Sequence, residues 1–265
     1  VDPKTLIEAT KLHLGHSNPN IRLAATNVLA MVIACRGLEN KSYLGEVKPT
    51  VMANIDATVA DLRANKGITP ASPKKTPSRK GAGAREVVVE VEEEAALDAV
   101  DSQLPSGVLD RLGDTNWKTR RAALDELKQV ARTRKDAVRA NVSGIIGALR
   151  LRLHDANKNL IIVTLEILQH LPSSFDAKLW ERHGKIIIAD VLRVLCDNKK
   201  AVREAGCLTL HTWTDKFALK SMQTYLVGFV SDAKTNVDGK VSVLSFLSEV
   251  ADESALQLED CLQDA

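Results

Sequence analysis

The residue types that most often carry catalytic chemistry are scattered along this 265-residue chain. The sequence contains no phosphate-binding glycine loop, no G-x-S-x-G nucleophile motif, no H-E-x-x-H zinc motif and no dinucleotide fingerprint. Its six histidines are dispersed, and 34 acidic residues allow a pair of carboxylates to be chosen almost anywhere. The sequence therefore predicts neither an enzyme nor a bound cofactor or metal.

Cysteine spacing and hydropathy exclude two further classes of protein. The four cysteines, Cys35, Cys196, Cys207 and Cys261, form no C-x-x-C pair, so buried reduced thiols are favoured over a zinc site or a disulfide framework. No apolar run approaches the ~20 residues needed to cross a bilayer, and we expect no membrane partner. The chain opens with Val-Asp-Pro rather than Met, and we expect it to be a fragment of a longer protein.

Five similar segments recur along the chain. Each begins with an apolar residue that ends one helical pattern, passes through a short polar turn and leads into a new amphipathic run. The segments begin at Leu14, Leu112, Leu153, Leu195 and Val230. The last four are separated by 41, 42 and 35 residues, and the first two of these steps fall within the period of about 40–47 residues found in HEAT and armadillo repeats. The sequence therefore predicts an all-α protein, an α-solenoid of HEAT-type helical hairpins.

Composition divides the chain into three parts. Residues 1–65 and 104–265 carry the helical patterns, and residues 66–103 separate them. Residues 66–85 contain three Pro, six Lys or Arg and no acidic residue, and the run Glu86-Val-Val-Val-Glu-Val-Glu-Glu-Glu94 follows directly. Such a segment cannot bury enough apolar surface to offset its ordering entropy. We therefore predict two helical segments joined by a disordered linker that is basic and then acidic.

The turns within the hairpins are the predicted binding site, because equivalent turns of a solenoid line one edge. Four of the five turns carry Lys or Arg and none carries Glu, which predicts a positive edge and an acidic partner. An Asp at the same turn position in four repeats is predicted to be a helix N-cap or a turn former. The candidate contact residues are Asn18, Asn20, Arg22, Asn116, Trp117, Lys118, Asn157, Lys158, Lys199, Lys200, Val202, Arg203 and Lys234.

Trp117 is the most informative of these residues. It lies in the polar context Asp-Thr-Asn-Trp-Lys, where a core residue is not expected, so we predict an exposed interface residue. Trp180 and Trp213 are instead predicted to lie in the core. The arginines at the repeated position (Arg22, Arg120 and Arg203) could face a partner or bridge neighbouring repeats, and the sequence leaves both alternatives open.

At these residues the sequence resembles a known family. The order of Asp114-Thr-Asn-Trp-Lys-Thr-Arg120, Asn157-Lys158 and Val202-Arg203 is similar to the turns of the TOG domains in ch-TOG-like microtubule polymerases. Residues 104–265 resemble the opening HEAT repeats of a fourth-TOG-like domain, truncated here, and residues 1–65 resemble the closing repeats of the preceding TOG domain. One departure is Asp238-Gly239, which stands where the family pattern has Val-Arg.

The resemblance implies a function and a location. TOG domains bind αβ-tubulin through these turns, so we expect a tubulin-binding segment of a protein that promotes microtubule growth. Its expected partners are αβ-tubulin, microtubules and other microtubule-associated proteins, in the cytoplasm and cytoskeleton, at microtubules, the spindle or a microtubule-organising centre. The linker is expected to contact the lattice through Lys74, Lys75, Arg79 and Lys80. Ser72 and Thr76 fit a proline-directed phosphorylation pattern that would reduce that charge.

Two other classes of binding protein remain open from the sequence. A generic HEAT scaffold, of the transport-receptor or phosphatase-subunit type, would have the same repeats without requiring Trp117. A nucleic-acid binder is disfavoured by the net charge of +2, although Ser-Pro-Lys-Lys in the linker can also bind DNA. Binding to tubulin separates these classes from the favoured one.

Overall fold

The computed structural model describes residues 3–66 and 103–263, with side chains described at 3–64 and 103–250. The helices are α1 (Pro3–Lys11), α2 (Pro19–Arg36), α3 (Pro49–Lys66), α4 (Val108–Leu112), α5 (Trp117–Thr133), α6 (Lys135–Arg152), α7 (Lys158–His170), α8 (Ala177–Val194), α9 (Lys200–Trp213), α10 (Leu219–Ser231) and α11 (Val237–Gln263). Short 3₁₀ turns lie at Leu38–Leu44 and Leu171–Ser174. No strand occurs within the described ranges, and the predicted all-α fold is confirmed.

The helices stack as antiparallel hairpins in two layers. One layer contains α4, α6, α8, α10 and α1, and each helix packs against the next in that order. The other layer contains α5, α7, α9, α11, α2 and α3, again with successive contacts. Each hairpin covers the apolar stripe of its neighbour, which an isolated hairpin would leave in water. The arrangement is the predicted HEAT-type solenoid, with residues 3–66 stacked after α10 and α11.

An aromatic cluster anchors the middle of the stack. Trp180 and Trp213 are fully buried, with their rings in an edge-to-face arrangement 5.3 Å apart between centroids. The Trp213 indole N–H donates a hydrogen bond to the Leu168 carbonyl at 2.9 Å, which satisfies its polar atom within the core. The prediction that these two tryptophans are structural is confirmed.

Two helix starts differ from the sequence patterns, which place helices at 42–64 and 185–196. The helix predicted from residue 42 begins at Pro49, because a proline is accommodated in the first helical turn and breaks the helix elsewhere. The helix predicted from residue 185 begins eight residues earlier, after Asp176, whose carboxylate caps the Leu179 N–H at 2.8 Å. Gly184 lies inside that helix, and the absence of a side chain lets Phe217 pack closely there, because a Cβ would lie 2.8 Å from the Phe217 ring.

The predicted linker lies outside the described residues, apart from its ends at Lys66 and Gln103. The proposed lattice contacts and phosphorylation sites fall within it, and they stay predictions. The division of the chain into pieces of two TOG-like domains is likewise a prediction.

Candidate functional site

Five short turns join the paired helices on one edge of the stack. They comprise residues 12–18, 113–116, 153–157, 195–199 and 232–236. We call these turns, with the first helical turn that follows each of them, the turn edge. All candidate contact residues in the described part of the chain lie on this edge, so the stacking brings them into one row.

A side-chain acceptor fixes the backbone of each turn. In the four later turns an Asp Oδ1 accepts the N–H of the residue two positions further on, at 2.7–2.9 Å. These residues are Asp114, Asp155, Asp197 and Asp232, and their predicted role as turn formers is confirmed. In the turn 12–18 the Nδ1 of His16 takes the same place and accepts from the Asn18 N–H at 3.0 Å.

The turn asparagines act as helix caps. Asn18, Asn116 and Asn157 each precede a helix, and their side-chain oxygens accept the N–H two residues further on at 2.8–3.1 Å. Such a cap satisfies one of the free N–H groups at the start of a helix. These asparagines therefore hold the turn in place, and Asn20 supplies one of the capped N–H groups.

The repeated arginines clamp their own turns. One guanidinium nitrogen of each donates to two successive turn carbonyls, at 2.7 Å for Arg22, 2.8–2.9 Å for Arg120 and 2.8–3.2 Å for Arg203. A planar guanidinium suits this arrangement, because its N–H groups point at two acceptors at once. Arg120 and Arg203 also reach an Asp of the next repeat, as the bridging alternative predicts, whereas the bonds of Arg22 within the described residues lie in its own turn.

Ion pairs also link successive turns. Arg120 contacts both carboxylate oxygens of Asp155 at 2.8 and 3.0 Å, and Lys158 contacts Asp197 at 2.5 Å. Arg203 approaches Asp238 at 3.4 Å. Burial alone would raise the pKa of the Asp155 carboxyl, but bonds from Arg120 and the Asn157 N–H, with the nearby cations, outweigh it and lower that pKa.

The positive charge of the edge therefore rests on fewer side chains than predicted, because the pairs above neutralise Arg120, Lys158 and Arg203. Lys118, Lys199 and Lys234 are exposed and form no salt bridge within the described residues. Lys200 pairs only along its own helix, with Glu204 at 3.1 Å, and its side chain is 80% exposed. These four lysines are cations of the edge that a partner can reach, as is Arg22, which is exposed and forms no salt bridge within the described residues.

Trp117 is the first residue of α5 and is 50% exposed, as predicted. The Asn116 cap and the Arg120 clamp hold the backbone on either side of it. Val202, by contrast, is fully buried. Its assignment as a contact residue is wrong, because its side chain packs into the core while the neighbouring Arg203 reaches back over the turn.

Three exposed residues in or directly before these turns were not predicted from the sequence. Leu12 and Leu151 are 67% and 64% exposed, and they lie two residues before the apolar residue that begins each repeat segment. Arg193 occupies the equivalent position before Leu195, and it lines two clefts between successive turns, of about 280 and 420 Å³. The sequence did contain a signal for these residues, because in three repeats they occupy the same position, two residues before the apolar residue that begins the segment.

The described residues contain no group of three or more His, Cys, Asp or Glu side chains that could hold a metal ion. In the same part of the chain, no helix has the length and apolarity needed to span a membrane. The arrangement is a row of rigid turns with an exposed indole and exposed lysines.

The fold and this site define a class: a helical-repeat protein in which equivalent turns, held by side-chain hydrogen bonds, line one edge. Over 214 residues, or 80% of its length, the chain is 28% identical to Centrosomal protein 224 of Dictyostelium discoideum. It is 27% identical over 231 residues (87% of the chain) to Protein MOR1 of Oryza sativa, and 23% identical over 236 residues (83%) to Protein mini spindles of Drosophila melanogaster. These similarities confirm the resemblance to the TOG-domain family, although the chain spans only 10–11% of the length of these relatives.

A solved structure described as "Structural Basis of Tubulin Recruitment and Assembly by Microtubule Polymerases with Tumor Overexpressed Gene (TOG) Domain Arrays" is similar with a TM-score of 0.49 and 18% identity. The similarity covers 91% of this chain and 49% of that one. No family model matches the chain.

Proposed function

We propose that this chain is a tubulin-binding segment of a microtubule polymerase, and that its turn edge contacts αβ-tubulin. The proposal is supported by relatives named for the centrosome and the spindle, and by the exposed cations and indole of the edge. The chain acts as a binding protein in the cytoplasm, at microtubules, the spindle or the centrosome.

The exposed indole of Trp117 is the observation that carries the proposal. A Trp side chain has roughly 150–250 Å² of surface, so covering the exposed half would remove about 100 Å² from water. At about 25 cal/mol per Å² this is worth roughly 2–3 kcal/mol of binding free energy. Because the Asn116 cap and the Arg120 clamp already order the turn, little further conformational entropy is lost on binding.

Exposed lysines extend the contact along the edge. Lys118, Lys199, Lys200 and Lys234 lie on three different turns and carry accessible positive charge. A row of like charges on a rigid surface attracts an acidic partner and sets its orientation, more than it adds affinity. The exposed Leu151 adds an apolar contact between the first two of these turns.

The linker has a second, less specific role in this proposal. Its basic part, with Lys74, Lys75, Arg79 and Lys80, contacts the acidic lattice of the microtubule while the turns hold free tubulin. The two helical segments descend from the end of one TOG-like domain and the start of the next. This part of the proposal rests on the charge pattern and on the resemblance of the sequence.

The test is gel filtration of the chain with αβ-tubulin, using a matched pair of variants. We expect Trp117→Ala with Lys118→Ala to weaken binding at least tenfold, without a change in helicity or melting temperature. The control is Lys178→Ala with Leu179→Ala. These residues are also an exposed cation and an exposed apolar side chain in a first helical turn, but on the opposite edge of the stack.

The control variant is expected to bind tubulin like the unmodified chain. Equal binding by both variants, or equal weakening of both, would exclude the turn edge as the tubulin contact. If the unmodified chain does not bind tubulin at all, a generic HEAT-repeat scaffold becomes the better hypothesis for its function.

A further inference from the structure

Helices α6, α8 and α10, which are neighbours in one layer of the stack, carry a large excess of positive charge. Together they contain nine Lys or Arg and three acidic residues. The acids Asp136, Glu181 and Asp190 each pair with a cation of the same layer at 2.6–2.9 Å. Within the described residues, five exposed cations of these helices form no salt bridge: Lys135, Lys178, Arg182, Arg193 and Lys220. We call the side of the layer that exposes them the basic face.

The helices of the other layer lack this excess of unpaired charge. Helices α5, α7 and α9 contain eight Lys or Arg and four acidic residues. Among these cations only Lys118 and Arg132 form no salt bridge to another described residue. The net charge of the whole chain is only +2. The unpaired cations are therefore concentrated on one layer of the stack, where they attract an acidic partner.

Helix α8 forms the most regular part of the basic face. Five of its exposed residues are spaced alternately three and four positions apart: Leu179, Arg182, Ile186, Ala189 and Arg193. This is the heptad spacing with which one helix packs along another. The row is about 21 Å long, since a helix rises about 1.5 Å per residue. Leu179 and Ile186 are 37% and 49% exposed, so the row combines apolar and cationic side chains.

The opposite side of α8 is fixed in the core. Trp180, Ile187 and Val191 are fully buried, and the Trp180 ring packs edge to face on Trp213. A partner that packs along α8 would meet a row of side chains on a rigid backbone. Little conformational entropy of the backbone would therefore be lost on binding.

The side chains of this row distinguish between two kinds of acidic partner. The backbone of a nucleic acid would contact the cations through its phosphates, but it would leave Leu179 and Ile186 against charged groups. An amphipathic helix with apolar residues at its heptad positions and Asp or Glu beside them would cover both apolar side chains and pair with Arg182 and Arg193. The row on α8 therefore favours an acidic helix of a partner protein.

We propose that the basic face binds an acidic amphipathic helix of a partner protein, which lies along α8 over residues 179–193. Lys135 of α6 and Lys220 of α10 lie on helices that pack on either side of α8, and they extend the attraction to acidic groups around the bound helix. Because only two apolar side chains are covered, most of the attraction is electrostatic and weakens with salt. The site does not include the turn edge and does not rest on the proposed function.

The test measures binding of a synthetic peptide to the full chain by fluorescence anisotropy. The probe is a labelled helical peptide of three heptads, roughly 21 residues, with Leu at the a and d positions and Glu at the e and g positions. We expect Arg182→Glu with Arg193→Glu to weaken its binding about tenfold at about 0.1 M salt. Ile186→Ser should weaken it about threefold at both low and high salt, because an apolar contact is not screened.

Two controls keep the same charges in a different arrangement. Arg36→Glu with Arg132→Glu makes the same change in net charge at exposed arginines of the other layer, and it should leave binding unchanged. A peptide of the same composition in scrambled order should bind about tenfold more weakly. Equal binding of the scrambled peptide or of a single-stranded DNA of the same length would overturn the proposal, and so would an equal loss in both pairs of variants.

Two other occupants of the basic face would also overturn the proposal. Peptide binding that appears only after Glu90, Glu92, Glu93 and Glu94 are changed to Gln would show that the acidic run of the same chain fills the face. A dimer of the unmodified chain that dissociates in the Arg182→Glu, Arg193→Glu variant would show that a second copy fills it. Circular dichroism and the melting temperature establish that each variant is folded.

Discussion

The turns 153–157 and 232–236 both contain an Asp-Ala pair, but different contacts hold them in place. In both, an Asp Oδ1 accepts the N–H two residues further on, at 2.9 Å. Asp155 is buried, and its carboxylate also accepts hydrogen bonds from Arg120 and from Arg152, the latter at 2.7 Å. Asp232 is exposed, and no ion pair to it is present within the described residues.

This contrast separates a local role from a tertiary one. The Asp fixes the turn in both places, because the bond to the N–H is local in sequence. Only Asp155 also joins its own turn to the preceding one through Arg120. The turn 232–236 is instead linked to the preceding turn by the side-chain amide of Asn236, which donates a hydrogen bond to the Cys196 carbonyl at 2.8 Å. Identical turn residues therefore differ in what they contribute to stability.

The largest expected effect is the difference in stability between two variants, each of which lacks one of these turn carboxylates. Asp155→Ala should lower the free energy of unfolding by about 3 kcal/mol, because Arg120 and Arg152 would be left partly buried without a counter-charge. Asp232→Ala should cost no more than about 1 kcal/mol, the typical value of a capping bond. Urea unfolding monitored by circular dichroism measures both. Equal losses would contradict the distinction between the two turns.

The second effect concerns the exposed cations. Lys199→Glu with Lys200→Glu should weaken tubulin binding about tenfold at low salt and much less at 0.5 M salt, because exposed charges are screened. Lys158 is left unchanged, since its bond to Asp197 makes it structural. Lys135→Glu with Lys178→Glu is the control, with the same change in net charge on the opposite edge. A loss that is independent of salt would indicate misfolding instead.

The third expected effect is a loss of folding stability at low pH. Asp155 and Asp197 are partly buried, which opposes ionisation, yet bonds from Arg120 and Lys158 and from turn N–H groups lower the pKa of each carboxyl. Below about pH 4 the unfolded chain takes up protons that the folded chain does not, so stability present above that pH is lost as the pH falls. The urea midpoint should fall between pH 5 and pH 3, and Asp155→Asn should make that fall shallower. An unchanged slope in that variant would contradict the assignment.

The smallest effect is expected from the linker. Ser72→Glu with Thr76→Glu lowers the charge of residues 66–85 from +6 to +4, and two phosphates would lower it further, at about −1.5 to −2 each. Cosedimentation with microtubules at moderate salt should fall about twofold, while binding of free tubulin stays unchanged. Ser72→Ala with Thr76→Ala is the control. Unchanged sedimentation of the Glu variant would remove the linker from the lattice contact.

Much of the fold follows from local patterns in the sequence. The helix starts at Asn116 and Asn157 were predictable, because a capping side chain acts on an N–H two residues away. The exposure of Trp117 followed from its polar neighbours. The start of α8 did not follow, because Gly184 resembles a helix boundary until Phe217, more than thirty residues later in the chain, is placed against it.

The sequence by itself determined the repeat, the all-helical class and the position of the turns, since these depend on periodicity and on contacts within a few residues. Tertiary structure decided which side chains of the turn edge are available to a partner. Lys158 and Lys199 are both turn lysines, and only the spacing between hairpins places Asp197 against the first of them. It also decided that Val202 is buried and that α2 lies on α11, because both depend on how separate hairpins stack.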